Sequence, residues 1–344
     1  MSLQNEIPKI LLIYTGGTIG MIKEYTTGYL KPFDFDQLLR HIPELKQLPC
    51  TIDTESFEPP MDSANMDICH WQQLGRIIHS RYTEYDGFVV LHGSDTMAYT
   101  ASALSFMFEG LRKPIIFTGS QLPIGDLRTD AKENLITAIH IASLRDESVP
   151  VVREVCIYFE YKLYRANRTI KISAAHFEAF DSPNYPPLLE SGVQLEIRRD
   201  LIWNSKKQSL SFYSQLDSQV LICTLFPGLS PLLCQDILVS NNAKAIILRT
   251  YGSGTTFTHD WFVDILQEKR KQNIPVINTT QCIRGSVQQG AYETSTYLEK
   301  AGVISARDMT VSSALVKSMY LLGQNYSYEQ FSELFKVSLR GEIT

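Results

Sequence analysis

The chain has 344 residues, 44% of them hydrophobic and 20% charged, with a formal net charge of −5. That length can bury a large core and suits two domains better than one, and the acidic balance offers nothing to nucleic acid or an anionic membrane. No apolar run approaches the roughly 18 residues that a membrane span requires.

The N-terminus, Met1 to Lys9, is polar and carries Pro8, and the apolar run after it is short, so no export signal is expected. That run, Ile10 to Tyr14, predicts a buried strand. It breaks into Gly16-Gly17 and then Thr18. Paired glycines let the backbone turn sharply and let a ligand approach the main chain. A strand ending this way delivers Thr18 to the carboxyl edge of a sheet, where ligands bind in open α/β folds. The plainer alternative is a tight turn with Thr18 as a helix cap. Met21 to Lys31 has no clear period and predicts a mobile loop over whatever Thr18 faces, or a plain surface connection.

Thr51 to Phe57 is weakly strand-like and runs through Pro59-Pro60 into the polar loop Met61-Asp62-Ser63-Ala64-Asn65. Ile68, Trp71, Leu74, Ile77 and Ile78 then keep helical spacing. Asp62 and Ser63 either start that helix or face a ligand. Gly87 to Leu91 predicts a second buried strand, ending in His92-Gly93-Ser94-Asp95-Thr96 ahead of an apolar helix, Met97 to Phe108. The first turn's design is thus repeated, now with hydroxyl, carboxylate and hydroxyl in consecutive positions. Asp95 as a mere helix cap is the plainer reading. Pro114 to Thr118 predicts a third strand ending in Gly119-Ser120-Gln121, followed by a helix from about Asp130 to Arg145.

Val155 to Tyr161 predicts a fourth strand. It leads into Leu163 to Lys171, a run dense in cations and Asn that reads by default as a solvated basic loop. Asp181 to Pro187 is Pro-rich, and Asp200 to Phe212 suggests a hairpin around Asn204 to Gln208; together they read as the passage between two domains. Beyond it, strands are expected at Val220–Thr224, Ala245–Leu248 and Val276–Asn278. Helices are expected near Pro231–Val239, Trp261–Gln272, Ser312–Leu322 and Tyr328–Leu339. The alternation implies two α/β domains with mainly parallel sheets. The larger, residues 1–198, carries the reactive side chains; 199–218 is a linker; 219–344 is a smaller Rossmann-like domain.

Six scattered cysteines without a C-x-x-C, and the lack of H-E-x-x-H, suit reduced thiols in a cytoplasmic protein and call for no metal. There is no phosphate loop and no G-x-S-x-G elbow. The nearest approach to a dinucleotide fingerprint, Gly252-Ser253-Gly254-Thr255-Thr256-Phe257, lacks its third glycine. What remains is two hydroxyl-bearing turns, an adjacent Asp and a distant Lys, a set that suits amide cleavage by a threonine nucleophile.

Thr15-Gly16-Gly17-Thr18-Ile19 and His92-Gly93-Ser94-Asp95-Thr96-Met97 resemble the two signature segments of the bacterial-type asparaginases. Asp62-Ser63, Thr118-Gly119-Ser120-Gln121, Asn167-Arg168-Thr169-Ile170-Lys171, Leu248-Arg249-Thr250-Tyr251-Gly252 and Thr280-Gln281-Cys282 resemble segments of the cytoplasmic, type I members. The resemblance implies hydrolysis of L-asparagine to L-aspartate and ammonia, with minor glutaminase activity and no cofactor. It implies that Thr18 attacks the side-chain amide and that Tyr29 belongs to a mobile lid. Ser94, Asp95 and Lys171 would form the second catalytic group. Asp95 would also hold the substrate's α-ammonium. Asp62, Ser63 and Ala64 would flank the substrate, with Ser63 on its α-carboxylate, and Ser120 would line the amide end. It further implies a homotetramer built from tight dimers, and a candidate effector site at Arg249, Thr280 and Cys282.

Two departures stand out. Ser94 occupies a position where the family normally has threonine, and Ile170 replaces a threonine that links the two sites in regulated members. Lys171 as a base must be neutral, a state that burial favours and a nearby Asp95 opposes, so Tyr29 competes with it as activator of Thr18. Two other functions fit the chain less well. An ammonia-supplying subunit of a tRNA transamidation assembly would need a further binding module. A non-catalytic nucleotide or small-molecule binder has only the Gly252 near-miss behind it.

Overall fold

Residues 10–14 are apolar at every position, and they form a strand buried on both faces: β1, Lys9–Gly16. Such unbroken apolar runs belong in the middle of a parallel sheet. The protein is described by a computed structural model covering residues 7–23, 30–32, 42–239, 242–289 and 293–344. It divides into one unit of Met1–Ser182 with Pro186–Ser214 and another of Pro183–Tyr185 with Gln215–Thr344.

In the first unit β1 is joined by β2 (Thr51–Met61), β3 (Gly87–Leu91), β4 (Ile115–Thr118), β5 (Val155–Phe159), β6 (Lys162–Arg165), β7 (Leu189–Ser191) and β8 (Leu195–Ile197). The eight strands lie in the order β8-β7-β6-β5-β4-β3-β1-β2. From β2 to β5 all neighbours are parallel; β6, β7 and β8 extend the sheet antiparallel. The chain leaves β1 toward β2 on one side and returns to β3 on the other. The carboxyl ends of β1 and β3 therefore bracket a topological switch point, the place where open α/β sheets bind ligands.

Helix α1 (Ile68–Arg81) starts at a capping box in which Asp67 and His70 satisfy each other's backbone N–H groups. Its Trp71 indole donates to Thr100 Oγ1 at 3.0 Å on α2 (Met97–Met107). That second helix is apolar all round and almost wholly buried, as a central helix must be. α3 (Ala131–Ser143) packs on β3 and β4.

The second unit has a four-stranded parallel sheet, β9 (Val220–Thr224), β10 (Ala245–Thr250), β11 (Val276–Thr280) and β12 (Ile304–Ser305), ordered as in the chain. Its helices are α4 (Pro231–Leu238), α5 (Asp260–Lys271), α6 (Glu293–Lys300), α7 (Val311–Gly323) and α8 (Tyr328–Lys336). Lys317 on α7 is fully buried. It donates to the carbonyls of Phe335 and Val337 and to Glu342 Oε1, at 2.9, 2.6 and 2.5 Å. Glu342 also takes the N–H groups of Leu339 and Arg340. Burial pulls the Lys317 amine below its ordinary range, although Glu342 opposes this. Breaking a buried pair strands the remaining charge. Lys317→Met is therefore expected to lower unfolding free energy by about 3–5 kcal/mol, as read by denaturant midpoints, and to expose the tail after α8 to proteolysis.

Several expectations need correction. Met21–Lys23 and Leu30–Pro32 are not plain loop: they form an antiparallel ladder. The run 163–169 is not a solvated basic loop. Arg165, Asn167 and Arg168 are buried, and Arg165 Nε donates to buried Glu154 at 2.6 Å. Charges are buried when paired, and the partner lies on another segment, invisible to local reading. The same Glu154 carboxylate takes the Trp203 N–H at 2.6 Å, and Arg165 reaches the Leu201 carbonyl. No hairpin forms at 204–208; instead Ser211–Phe212 pairs with Phe108–Glu109. Of the expected linker 199–218, residues up to Ser214 lie in the first unit. Thr51–Met61 is longer than expected and carries its two prolines on the sheet's outermost strand, where missing N–H groups cost least. Helix α6 has no counterpart among the elements expected from the sequence.

Candidate active site

Four neighbouring parallel strands, β4, β3, β1 and β2, end at the same edge of the first sheet. The residues that follow them are Gly119-Ser120-Gln121, His92 to Thr96, Gly17-Thr18 and Asp62-Ser63. One sheet edge thus collects every turn that the sequence marked as reactive in this half of the chain.

The turns touch through bare backbone. Gly17 has φ +94°, and a Cβ there would fall 2.6 Å from the Cα and N of Gly93. A Cβ on Gly93 would in turn fall 2.5 Å from Ser63 Oγ. Only glycine permits both the positive φ and the contact. Thr15 Oγ1 donates to the Leu91 carbonyl at 3.0 Å, and Thr96 Oγ1 donates to the Ser63 carbonyl at 2.7 Å. Thr18 begins a 3-10 turn, Thr18–Gly20, and is half-buried. Asp62 caps the short turn Ser63–Asn65, its carboxylate accepting the Ala64 N–H at 2.9 Å. Ser63 is buried, whereas Asp62 and Ala64 are exposed.

Lys171 comes from a two-residue strand, Ile170–Lys171, paired with Phe180–Asp181. Its amine donates to Ser94 Oγ at 2.8 Å and to Asp95 Oδ1 at 2.6 Å. The Lys171 side chain is 18% exposed and that of Asp95 69%. Asp95 is not the cap of α2: that position belongs to Thr96, and Asp95 is committed to the lysine. Its carboxylate keeps a solvent-facing side on which a cationic ligand group can sit.

His92 is fully buried against Phe117, and its Nδ1 lies 2.7 Å from the Gly93 carbonyl. Burial pushes its imidazole down to about 4. The ring therefore stays neutral near neutral pH and lends the turn shape, not charge. Ser120 is buried and donates to the Leu122 carbonyl at 2.6 Å.

Thr18's turn, Ser63, Ser94, Asp95 and Lys171 are brought together. Tyr29 lies outside the described residues. Arg249, Thr280 and Cys282 lie in the second unit, at and beyond the carboxyl ends of β10 and β11. Two participants went unassigned in the sequence. Gln121 accepts the Ser94 hydroxyl at 3.3 Å. Asp130 accepts the N–H groups of Gln121 and Leu122 at 3.0 and 3.2 Å, holding that turn in place. The signal for Gln121 was its position in the polar turn after β4. Asp130 looked like the start of α3. The arrangement can present a hydroxyl nucleophile, a relay of amine and hydroxyl, and a carboxylate. No group of three or more metal-ligating side chains occurs among the described residues.

Similarity to known proteins extends over nearly the whole chain. The family model "Asparaginase, N-terminal" matches residues 9–203, and "Glutaminase/Asparaginase C-terminal domain" matches residues 219–335. L-asparaginase 1 of Escherichia coli strain K12 is 40% identical over 97% of this chain and 98% of its own. The 60 kDa lysophospholipase of Mus musculus is 36% identical over 98% of this chain and 62% of its own. The crystal structure of L-asparaginase I from Vibrio cholerae superposes with a TM-score of 0.89 at 38% identity, covering 98% of this chain and 99% of that one.

Proposed function

The chain belongs to the asparaginase family, and on that footing we propose that it hydrolyses L-asparagine to L-aspartate and ammonia with Thr18 as nucleophile. The observation that carries the reading is the Lys171–Ser94–Asp95 cluster, built on the turn whose Gly93 abuts Gly17, the residue before Thr18.

A threonine hydroxyl needs its proton removed before it attacks. Thr18 Oγ bonds to the side-chain amide carbon while its proton passes into the relay of Ser94 and Lys171, with Tyr29 as the competing acceptor. The negative charge that develops on the amide oxygen is met by backbone N–H groups of the strand-end turns. Collapse breaks the C–N bond. The departing nitrogen takes a proton and leaves as ammonia, and the β-carboxyl remains as an ester of Thr18. Water then adds to that ester and releases aspartate and the free hydroxyl. Asp95 holds the substrate's α-ammonium on its open side. Ser63 takes the α-carboxylate, flanked by Asp62 and Ala64, and Ser120 lines the amide end. Purified protein given L-asparagine should release ammonia and aspartate in equal amounts, and rapid quenching should trap an aspartyl ester on the peptide containing Thr18. Turnover without any ester at Thr18 would overturn the role.

Glutamine is longer by one methylene, and a pocket discriminates such a difference by only about 10–200-fold. The ratio of kcat/KM for asparagine over glutamine is expected within that range; equal values would contradict the preference.

A second ligand site is favoured by one observation. In the second unit Arg249 Nε and Tyr251 OH are buried without a hydrogen-bond partner among the described residues. Buried polar atoms are ordinarily satisfied, and these flank the end of β10, near Thr280 and exposed Cys282. Such a pocket suits an effector with a carboxylate, a second asparagine included. A sigmoidal rate curve that Arg249→Ala turns hyperbolic would support it, and a hyperbolic wild-type curve across a wide asparagine range would dispose of it. The scattered, unpaired cysteines support a reducing, cytoplasmic setting, and family membership supports a homotetramer as a dimer of dimers. No helix among the described residues is long and apolar enough to cross a membrane.

A further inference from the structure

Serine lacks the β-methyl that restricts χ1 in threonine, so Ser94 needs some other constraint if its oxygen is to stay beside Lys171. Its neighbours supply one. Gln121 Nε2 donates to the His176 carbonyl at 3.0 Å. A carbonyl only accepts, which fixes the amide's orientation and turns Oε1 toward Ser94. Ser94 Oγ lies 3.3 Å from that Oε1, so the serine is the donor there. The other side of the same oxygen accepts from Lys171 Nζ at 2.8 Å.

Gln121 is itself held. Its N–H is taken by both Asp130 oxygens, at 3.1 and 3.0 Å. Asn134 Nδ2 braces Asp130 at 3.2 Å and the Gly119 carbonyl at 3.0 Å. On the far side, the N–H groups of Ala175 and His176 donate to Ser173 Oγ, which shapes the loop that carries both Lys171 and His176. One amide side chain therefore spans the turn after β4, the turn after β3 and the lysine-bearing loop.

We propose that Gln121 is a positioning residue: it holds the rotamer of Ser94, keeping that oxygen beside Lys171, and ties the loop of Lys171 to it. The proposal rests on the reading that Ser94 lies on the proton path. Gln121 meets Ser94 and is given no contact with the substrate, so its loss acts on kcat and leaves KM nearly unchanged.

The test is a double-mutant cycle on the full-length enzyme. Gln121→Leu is expected to lower kcat for asparagine by about three- to tenfold, the size of a neutral hydrogen bond, with KM moving less than twofold. Each variant is measured against its own background. In a Ser94→Thr background, where a β-methyl holds the rotamer, Gln121→Leu should change kcat by less than twofold. Gln121→Met, closer in shape, should repeat both results and guards against a folding defect, with thermal unfolding followed throughout. Equal losses in the two backgrounds, or no loss in either, would overturn the positioning role. Ser94→Ala separates the layers. If it keeps full kcat, Ser94 is not on the proton path and both ideas fall. If it is impaired while Gln121 shows no dependence on residue 94, only the present inference falls.

Discussion

Thr18→Ala is expected to abolish ammonia release from L-asparagine, with a loss on the order of 10⁶-fold, the cost of removing the nucleophile from a set of groups that act together. The change deletes a hydroxyl and a methyl from a half-buried position at the start of a one-turn helix. It leaves the φ +94° turn at Gly17 and the Gly17–Gly93 contact untouched. The melting temperature should stay within a few degrees of wild type, and L-aspartate should still bind, because Ser63 and Asp95 remain. Isothermal titration with aspartate beside a coupled ammonia assay separates loss of chemistry from loss of the site. Residual turnover above about one part in 10³ would place the nucleophile elsewhere, since a site without its nucleophile retains only its binding and charge-stabilising contributions.

Lys171→Met is expected to cost 10²- to 10⁴-fold in kcat, the usual weight of a positioned acid–base group. The substitution removes the amine that meets Ser94 at 2.8 Å and Asp95 at 2.6 Å. It also frees the Asp95 carboxylate, which is largely exposed and can be rehydrated, so stability should change by less than about 1 kcal/mol. Lys171→Arg sharpens the test. A guanidinium keeps the charge and the pairing with Asp95 but does not give up its proton near neutral pH. Activity restored by arginine would make the residue an electrostatic partner and leave the proton transfer to Tyr29. Arginine as poor as methionine would assign the transfer to the amine.

The reactive strands could be read because they are buried on both faces: β1 and β3 are continuous apolar runs that end abruptly in glycine and hydroxyl residues. The hydroxyls and carboxylate of the active turns could be read for the same reason, since polar residues that interrupt such runs must sit at an edge. What could not be read depends on distant partners. Arg165 looks solvated until Glu154 is placed beside it, and Trp203 looks like linker until its N–H meets the same carboxylate. β6, β7 and β8 are antiparallel additions of three or four residues, too short for a period to emerge. Gln121 stood in a recognised turn, but its work lies in joining Ser94 to His176, which only folding reveals. Asp95 reads in the sequence as a helix cap or as a member of a catalytic group, and the cap reading fails only once Lys171 arrives from a separate segment to pair with it.

The abutment of Gly17 on Gly93 has an evolutionary corollary. The codon for Gly17 is locked to one letter by the bare backbone of Gly93, where no side chain can shrink to make room, whereas Gly93 is held by the side chain of Ser63, which a change at that position can relax. Divergence must therefore be written around that contact, in side chains such as Ser63 and Ser120. A saturation library at Gly17 should yield no survivors beyond the parent, however lenient the selection.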